Sequence, residues 1–169
     1  MVRRRNVEVQ VRVLLVEDDA PLKRSLEKFL RQAGYSLSSC CDAGEALAEV
    51  EKFHPDIIIA EYHLPDANGA VLLERLKRFV PHAATVLISE YDYQFVADEI
   101  AQLDVHAFLK KPFDLAELET VLSSACCQVR ILMRNVKWNV DPVSKEYLPP
   151  LIRRKLSEIS VSNGVHAED

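Results

Sequence analysis

The stretch IIIAEYHLPDANG, residues 57–69, decides the fold. Asp56 to Ala60 carries the unbroken apolar run Ile57-Ile58-Ile59, the mark of a strand covered on both faces in a parallel sheet. The run ends on a carboxylate, Glu61, and passes into Pro65-Asp66 and Asn68-Gly69, residue pairs that favour turns. From Val71 to Phe79, the residues Leu72, Leu73, Leu76 and Phe79 recur on one helical face. A buried strand, a polar loop and an amphipathic helix therefore follow one another directly.

The same succession continues on both sides. Upstream, Val11 to Val16 reads as a strand that stops at Glu17-Asp18-Asp19. Leu22, Leu26, Phe29, Leu30 and Ala33 then mark a helix, with Asp19 or Ala20 near its cap and Gly34 at its stop. Tyr35 to Cys41 is a second strand, and Asp42 with Glu45 forms a capping box opening a helix through Phe53, ended by Pro55. Downstream, Thr85 to Ile88 and His106 to Lys110 read as strands around a weaker helical pattern, Tyr93 to Leu103. Asp114 with Glu117 forms another capping box, before Leu115, Leu118, Val121, Leu122 and Ala125. Five strands alternating with five helices predict an α/β fold, a doubly wound five-stranded parallel sheet with right-handed crossovers.

Composition sets the outer bounds. The 169 residues, 49% hydrophobic and 28% charged, suit one globular domain plus a tail. A net charge of −5 offers no field attractive to phosphate backbones, so nucleic acid is not an expected partner; Arg3-Arg4-Arg5 and Arg153-Arg154-Lys155 are local exceptions. The cysteines fall in two adjacent pairs, Cys40-Cys41 and Cys126-Cys127, a spacing of neither a disulfide framework nor a zinc site; reduced thiols and a cytoplasmic location follow. Val7 to Val13 alternates apolar with polar and offers no signal-peptide core, and no apolar run approaches the roughly 20 residues of a membrane helix.

In an open α/β sheet, ligands bind beyond the carboxyl ends of the strands. There this sequence places Glu17, Asp18 and Asp19, then Glu61, then Ser89, then Lys110 and Lys111. Converging carboxylates repel unless a cation joins them, and hard oxygen ligands suit magnesium. A hydroxyl and a lysine opposite would contact anionic oxygens, the arrangement that phosphoryl transfer requires.

These residues carry a family resemblance. VLLVEDD (13–19), IIIAEYHLPDANG (57–69), ISEY (88–91) and FLKKPF (108–113) stand in the order and spacing of a bacterial two-component receiver domain, and the resemblance covers about Arg12 to Ala125. It implies the flavodoxin-like receiver fold with strand order 2-1-3-4-5. It gives Glu17 and Asp18 the acidic-pair role, with Asp18 the direct magnesium ligand and Glu17 acting through water, and makes Glu61 and the backbone carbonyl of His63 further ligands. Ser89 matches the switch hydroxyl, Lys111 the site lysine, and Phe108 the aromatic that follows the switch. The Lys111-Pro112 peptide is expected to be cis. Implied partners are a histidine kinase or another signalling protein, and a second copy bound through the last sheet-helix-sheet face.

The departure lies at the centre. Where the family has a phosphoacceptor aspartate, this chain has Glu61; Asp56 precedes the buried run and Asp66 lies in the following loop. The extra methylene moves the carboxylate by roughly 1 Å, which in-line phosphoryl transfer tolerates poorly. It also carries a negative charge toward Ser89 and Lys111, an incomplete imitation of a phosphate. Glu90 after Ser89 is a second departure, either narrowing the pocket or turned to solvent.

The expected organisation is a leader at residues 1–10, a receiver domain at 11–127 and an extension at 128–169. In the extension the last helix continues through Val129, Leu132, Met133 and Val136, and Pro149-Pro150 precedes a short amphipathic helix with Leu151, Ile152, Leu156 and Ile159. The segment is shorter than the roughly 50 residues of a helix-turn-helix output domain. Two functions stand against each other: a non-enzymatic interaction module whose switch Glu61 biases without phosphorylation, and a phosphorylatable receiver taking a phosphoryl group from a histidine kinase. DNA binding through the basic tail is a third and weaker one.

Overall fold

The order of elements is β1 (Arg12–Val16), α1 (Ala20–Gln32), β2 (Ser36–Cys40), α2 (Ala43–Phe53), β3 (Ile57–Glu61), α3 (Gly69–Lys77), β4 (Ala84–Ser89), α4 (Tyr93–Ile100), β5 (Ala107–Lys110) and α5 (Leu115–Asn135). The computed structural model describes residues 10–135, with side chains through 129. Residues 1–9 of the expected leader and the extension beyond residue 135, with the second helix expected there and its basic cluster, lie outside the described residues.

All five strands run parallel in the order β2-β1-β3-β4-β5, as expected. The three inner strands RVLLV, IIIAE and ATVLIS are buried almost throughout, as a sheet covered on both faces requires. The outer strand β2, SLSSC, is half-buried, and its serines bond outward: Ser38 Oγ donates to Glu49 on α2. Along β1, Leu14 and Val16 face a cluster with Ala46 and Val50 of α2, Leu72, Leu73 and Leu76 of α3, and Val96 and Ile100 of α4. α1 packs on β2, and α5 lies across β3, β4 and β5.

Local chemistry sets the helix ends. Asp19 caps α1, its side chain accepting from Leu22 N–H at 2.7 Å, and Gly34 beyond the C-terminus takes a φ of 89°. Asp42 caps α2 by accepting from Glu45 N–H at 2.8 Å, while Glu45 reaches back to Cys41 N–H, one residue earlier than in the usual capping box. Asp114 and Glu117 form the reciprocal box at α5, at 2.8 and 2.9 Å. α5 runs through Asn135, so the helix continues past Cys127 through Val129, Leu132 and Met133 as expected, and Val136 lies outside the described residues.

Some expected bounds and faces change. α3 begins at Gly69 rather than Val71, and Phe79, read as part of its buried face, lies past the C-cap Arg78 and is 45% exposed. α4 ends at Ile100, not Leu103. Leu115, at the first turn of α5, is 51% exposed because the packed face begins at Leu118.

At the amino end of the sheet, Asp56 is buried and clasps Arg12. Its Oδ2 accepts from the Arg12 backbone N–H at 2.8 Å and from Nε at 3.3 Å, and its Oδ1 faces Nη2 at 3.3 Å. Asp56 therefore stitches β1 to β3 at the edge opposite Glu61.

Candidate functional site

Parallel strands deliver their carboxyl ends to one edge, where Glu17, Glu61, Ser89 and Lys111 meet. Glu17 follows β1 and is fully buried; Glu61 closes β3 at 4% exposure; Ser89 closes β4 and is fully buried. Lys111 follows β5, held there by its backbone N–H, which donates to Ser89 O at 2.7 Å. The Lys111-Pro112 peptide is cis, as expected.

The Lys111 ammonium lies between the two glutamates. Its Nζ is 3.0 Å from Glu17 Oε2 and in closer contact with Glu61 Oε2. The remaining carboxylate oxygens are held by the main chain: Glu17 Oε1 accepts from Asp19 N–H, and Glu61 Oε1 accepts from His63 N–H, both at 3.1 Å. Burial raises the Glu17 carboxyl above its usual range, against the opposing pull of Lys111. Burial acts to lower the Lys111 ammonium, but Glu61 and Glu17 outweigh it and hold the lysine above its ordinary value.

Asp18 is exposed. His63 is exposed and turns its N–H to Glu61, forming an isolated antiparallel bridge with Asn68. Among the described residues, no three of His, Cys, Asp and Glu are placed to hold a metal ion; of the side chains expected to ligate magnesium, Glu17 and Glu61 come together around Lys111 and Asp18 is exposed. Ser89 Oγ accepts from Tyr91 N–H at 3.0 Å. Phe108 is half-buried and meets Tyr93 of α4 edge-on, with ring centroids 5.6 Å apart. Glu90 is exposed, in agreement with the solvent-facing alternative. Lys110 pairs with Asp92 in front of α4, and so is not a second site lysine.

Several supporting residues escaped the sequence reading. Asp66 does not face the site but accepts from Ala43 N–H at 2.9 Å and Gly44 N–H at 3.0 Å, serving the amino end of α2. Tyr62 Oη donates to Glu99 Oε2 at 2.7 Å, and Asn68 Nδ2 donates to the same oxygen at 3.0 Å, tying the loop after Glu61 to α4. At Gly69 a Cβ would stand 2.1 Å from Glu61 O, so only glycine lets the chain pass there. The Asn68-Gly69 pair signalled a turn; nothing in the local sequence signalled a contact with Glu61.

Comparisons with known proteins agree with this fold. The family model described as response regulator receiver domain matches residues 13–123. The chain is 34% identical over 109 residues to the transcriptional regulatory protein PrrA of Mycobacterium leprae, covering 63% of this chain and 46% of that protein. It is 28% identical over 116 residues to the DNA-binding transcriptional regulator NtrC of Bradyrhizobium sp. (strain RP501 Parasponia), covering 69% of this chain and 24% of that one. The chain thus spans less than half the length of either regulator. Among solved structures, the signal receiver domain of an HD domain-containing protein from Pseudomonas fluorescens Pf-5 superposes with a TM-score of 0.68 at 27% identity, covering 72% of this chain and 98% of that domain.

Proposed function

Since the chain belongs to the response regulator receiver domain family, we propose that it works as a receiver whose switch charge is carried permanently by Glu61. Receiver domains are signalling modules of two-component systems that interact with histidine kinases and other signalling proteins. In this chain the interaction with a partner proceeds without phosphorylation. The observation that carries the reading is the contact of Glu61 Oε2 with the Lys111 ammonium, in a site where Glu61 is 4% exposed. The lysine that would meet a phosphoryl oxygen is already engaged by an oxygen of the chain itself.

The competing reading, a phosphorylatable receiver, draws on the presence of Asp18, Ser89 and Lys111 at the family's positions. The two separate in the response of the fold to the charge at position 61. Amide chemical shifts of the native chain and of Glu61→Gln are expected to differ at Ser89, at Phe108 and along α4, because the neutral amide no longer holds Lys111. Shift changes confined to the immediate neighbours of residue 61 would sink the proposal.

A further inference from the structure

We infer that Lys111 is the resident cation of this site, seated between Glu17 and Glu61, and that the native chain keeps its charge balance there without a divalent metal. This rests on the reading of Glu61 as a built-in charge and names how that charge is neutralised.

Each of the two buried carboxylates has one oxygen against a main-chain N–H, from Asp19 and from His63, and the other against Lys111 Nζ. No carboxylate oxygen of the pair is left facing open solvent as a vacant ligand: Glu17 is fully buried and Glu61 is 4% exposed. Magnesium demands near-octahedral oxygens at about 2.0–2.1 Å and gives up its water reluctantly, so to enter it must first strip the ammonium from both carboxylates. Removing a partner from a buried ion pair leaves charge uncompensated in a dry place. Asp18, the remaining acid, is exposed.

The residue at position 61 makes this seat. A glutamate at the end of β3 carries its carboxylate one methylene further from the main chain than an aspartate would, toward the end of β5 where Lys111 stands. Lys111 is fixed from behind by its N–H to Ser89 O at 2.7 Å, so the ammonium is delivered to the carboxylates by the sheet itself. Shortening residue 61 or neutralising residue 111 frees the acids for a metal.

The test is thermal unfolding of the full chain in EDTA and over a series of magnesium chloride concentrations at constant ionic strength, for the native chain, Glu61→Asp and Lys111→Gln. A ligand that binds only the folded state raises Tm with concentration. The native chain is expected to show no magnesium-dependent rise, whereas Glu61→Asp and Lys111→Gln acquire a saturable rise of roughly 2–4 °C. Should Lys111→Gln not fold, the native chain against Glu61→Asp decides alone. A saturable rise in the native chain overturns the inference, and so does a flat response in Glu61→Asp. Magnesium binding without uptake of a phosphoryl group by the native chain would count against the Lys111 seat alone; phosphoryl uptake would count against the reading of Glu61 beneath it.

Discussion

The Lys111 ammonium rests against Glu61 Oε2 at the carboxyl edge of the sheet, with 16% of the lysine side chain and 5% of the glutamate exposed. The same ammonium is 3.0 Å from Glu17 Oε2, so one positive charge serves two buried negative ones. Lys111→Met removes that charge and leaves both carboxylates unpaired, a loss of about 3 kcal/mol in urea unfolding. Adding Glu61→Gln to the same chain should restore at least about 1 kcal/mol of it, since the two changes act on one contact. Strict additivity would mean that the pair is not coupled.

Gly69 lets the start of α3 come against the main chain of Glu61. An added Cβ would lie 2.1 Å from Glu61 O and 2.9 Å from Tyr62 Cα, both main-chain atoms that cannot swing aside. Gly69→Ala is therefore expected to destabilise the fold by about 3 kcal/mol or more, read by chemical denaturation. A variant as stable as the native chain would show that the turn has room to relax.

Asp66 contributes a pH dependence of its own. The main-chain N–H of Ala43, with that of Gly44, holds its carboxyl below the ordinary value of 3.8. A carboxylate depressed in the folded state stabilises it fully above the unfolded value, and that stability is lost as the pH falls through the folded one. Asp66→Asn should remove this part of the acid dependence while leaving the profile near neutral pH parallel to that of the native chain. Measuring unfolding free energy from pH 6 down to pH 2 checks it; identical acid limbs for the two chains would contradict it.

Glu99 joins α4 to the residue next to Glu61. Tyr62→Phe deletes the hydroxyl that donates to Glu99 Oε2 at 2.7 Å and should destabilise by about 1 kcal/mol. Because α4 is short and its cap residue Asp92 makes no side-chain cap bond, the loss should appear first as faster amide exchange over Tyr93–Ile100. Unchanged exchange there would mean that Asn68, bonded to the same oxygen at 3.0 Å, suffices alone.

Much of this was legible in the sequence because local rules and the global fold agree. The runs Val13 to Val16 and Ile57 to Ala60 are buried on both faces as their unbroken apolarity requires, and Asp19, Asp42 and Asp114 cap the helices that they precede. Glu17, Glu61, Ser89 and the Lys110-Lys111 pair could be placed at one edge because parallel strands bring their carboxyl ends together, and the family resemblance singled out Lys111. What the sequence could not give is which of two apposed groups each side chain chooses. Asp66 turns to the amino end of α2, and Asp56 to Arg12, partners separated by 23 and 44 positions that no local pattern reveals. Phe79 fitted the apolar period of α3 but falls after the helix has ended, where the period no longer applies.

The central claim is that the charge at position 61 belongs to the chain and is not delivered to it. Its most direct test is the intact mass of the native chain and of Glu61→Asp after incubation with a small-molecule phosphodonor and magnesium. The native chain should keep its mass, while Glu61→Asp gains one phosphoryl group. A native chain phosphorylated as readily as Glu61→Asp would contradict the account.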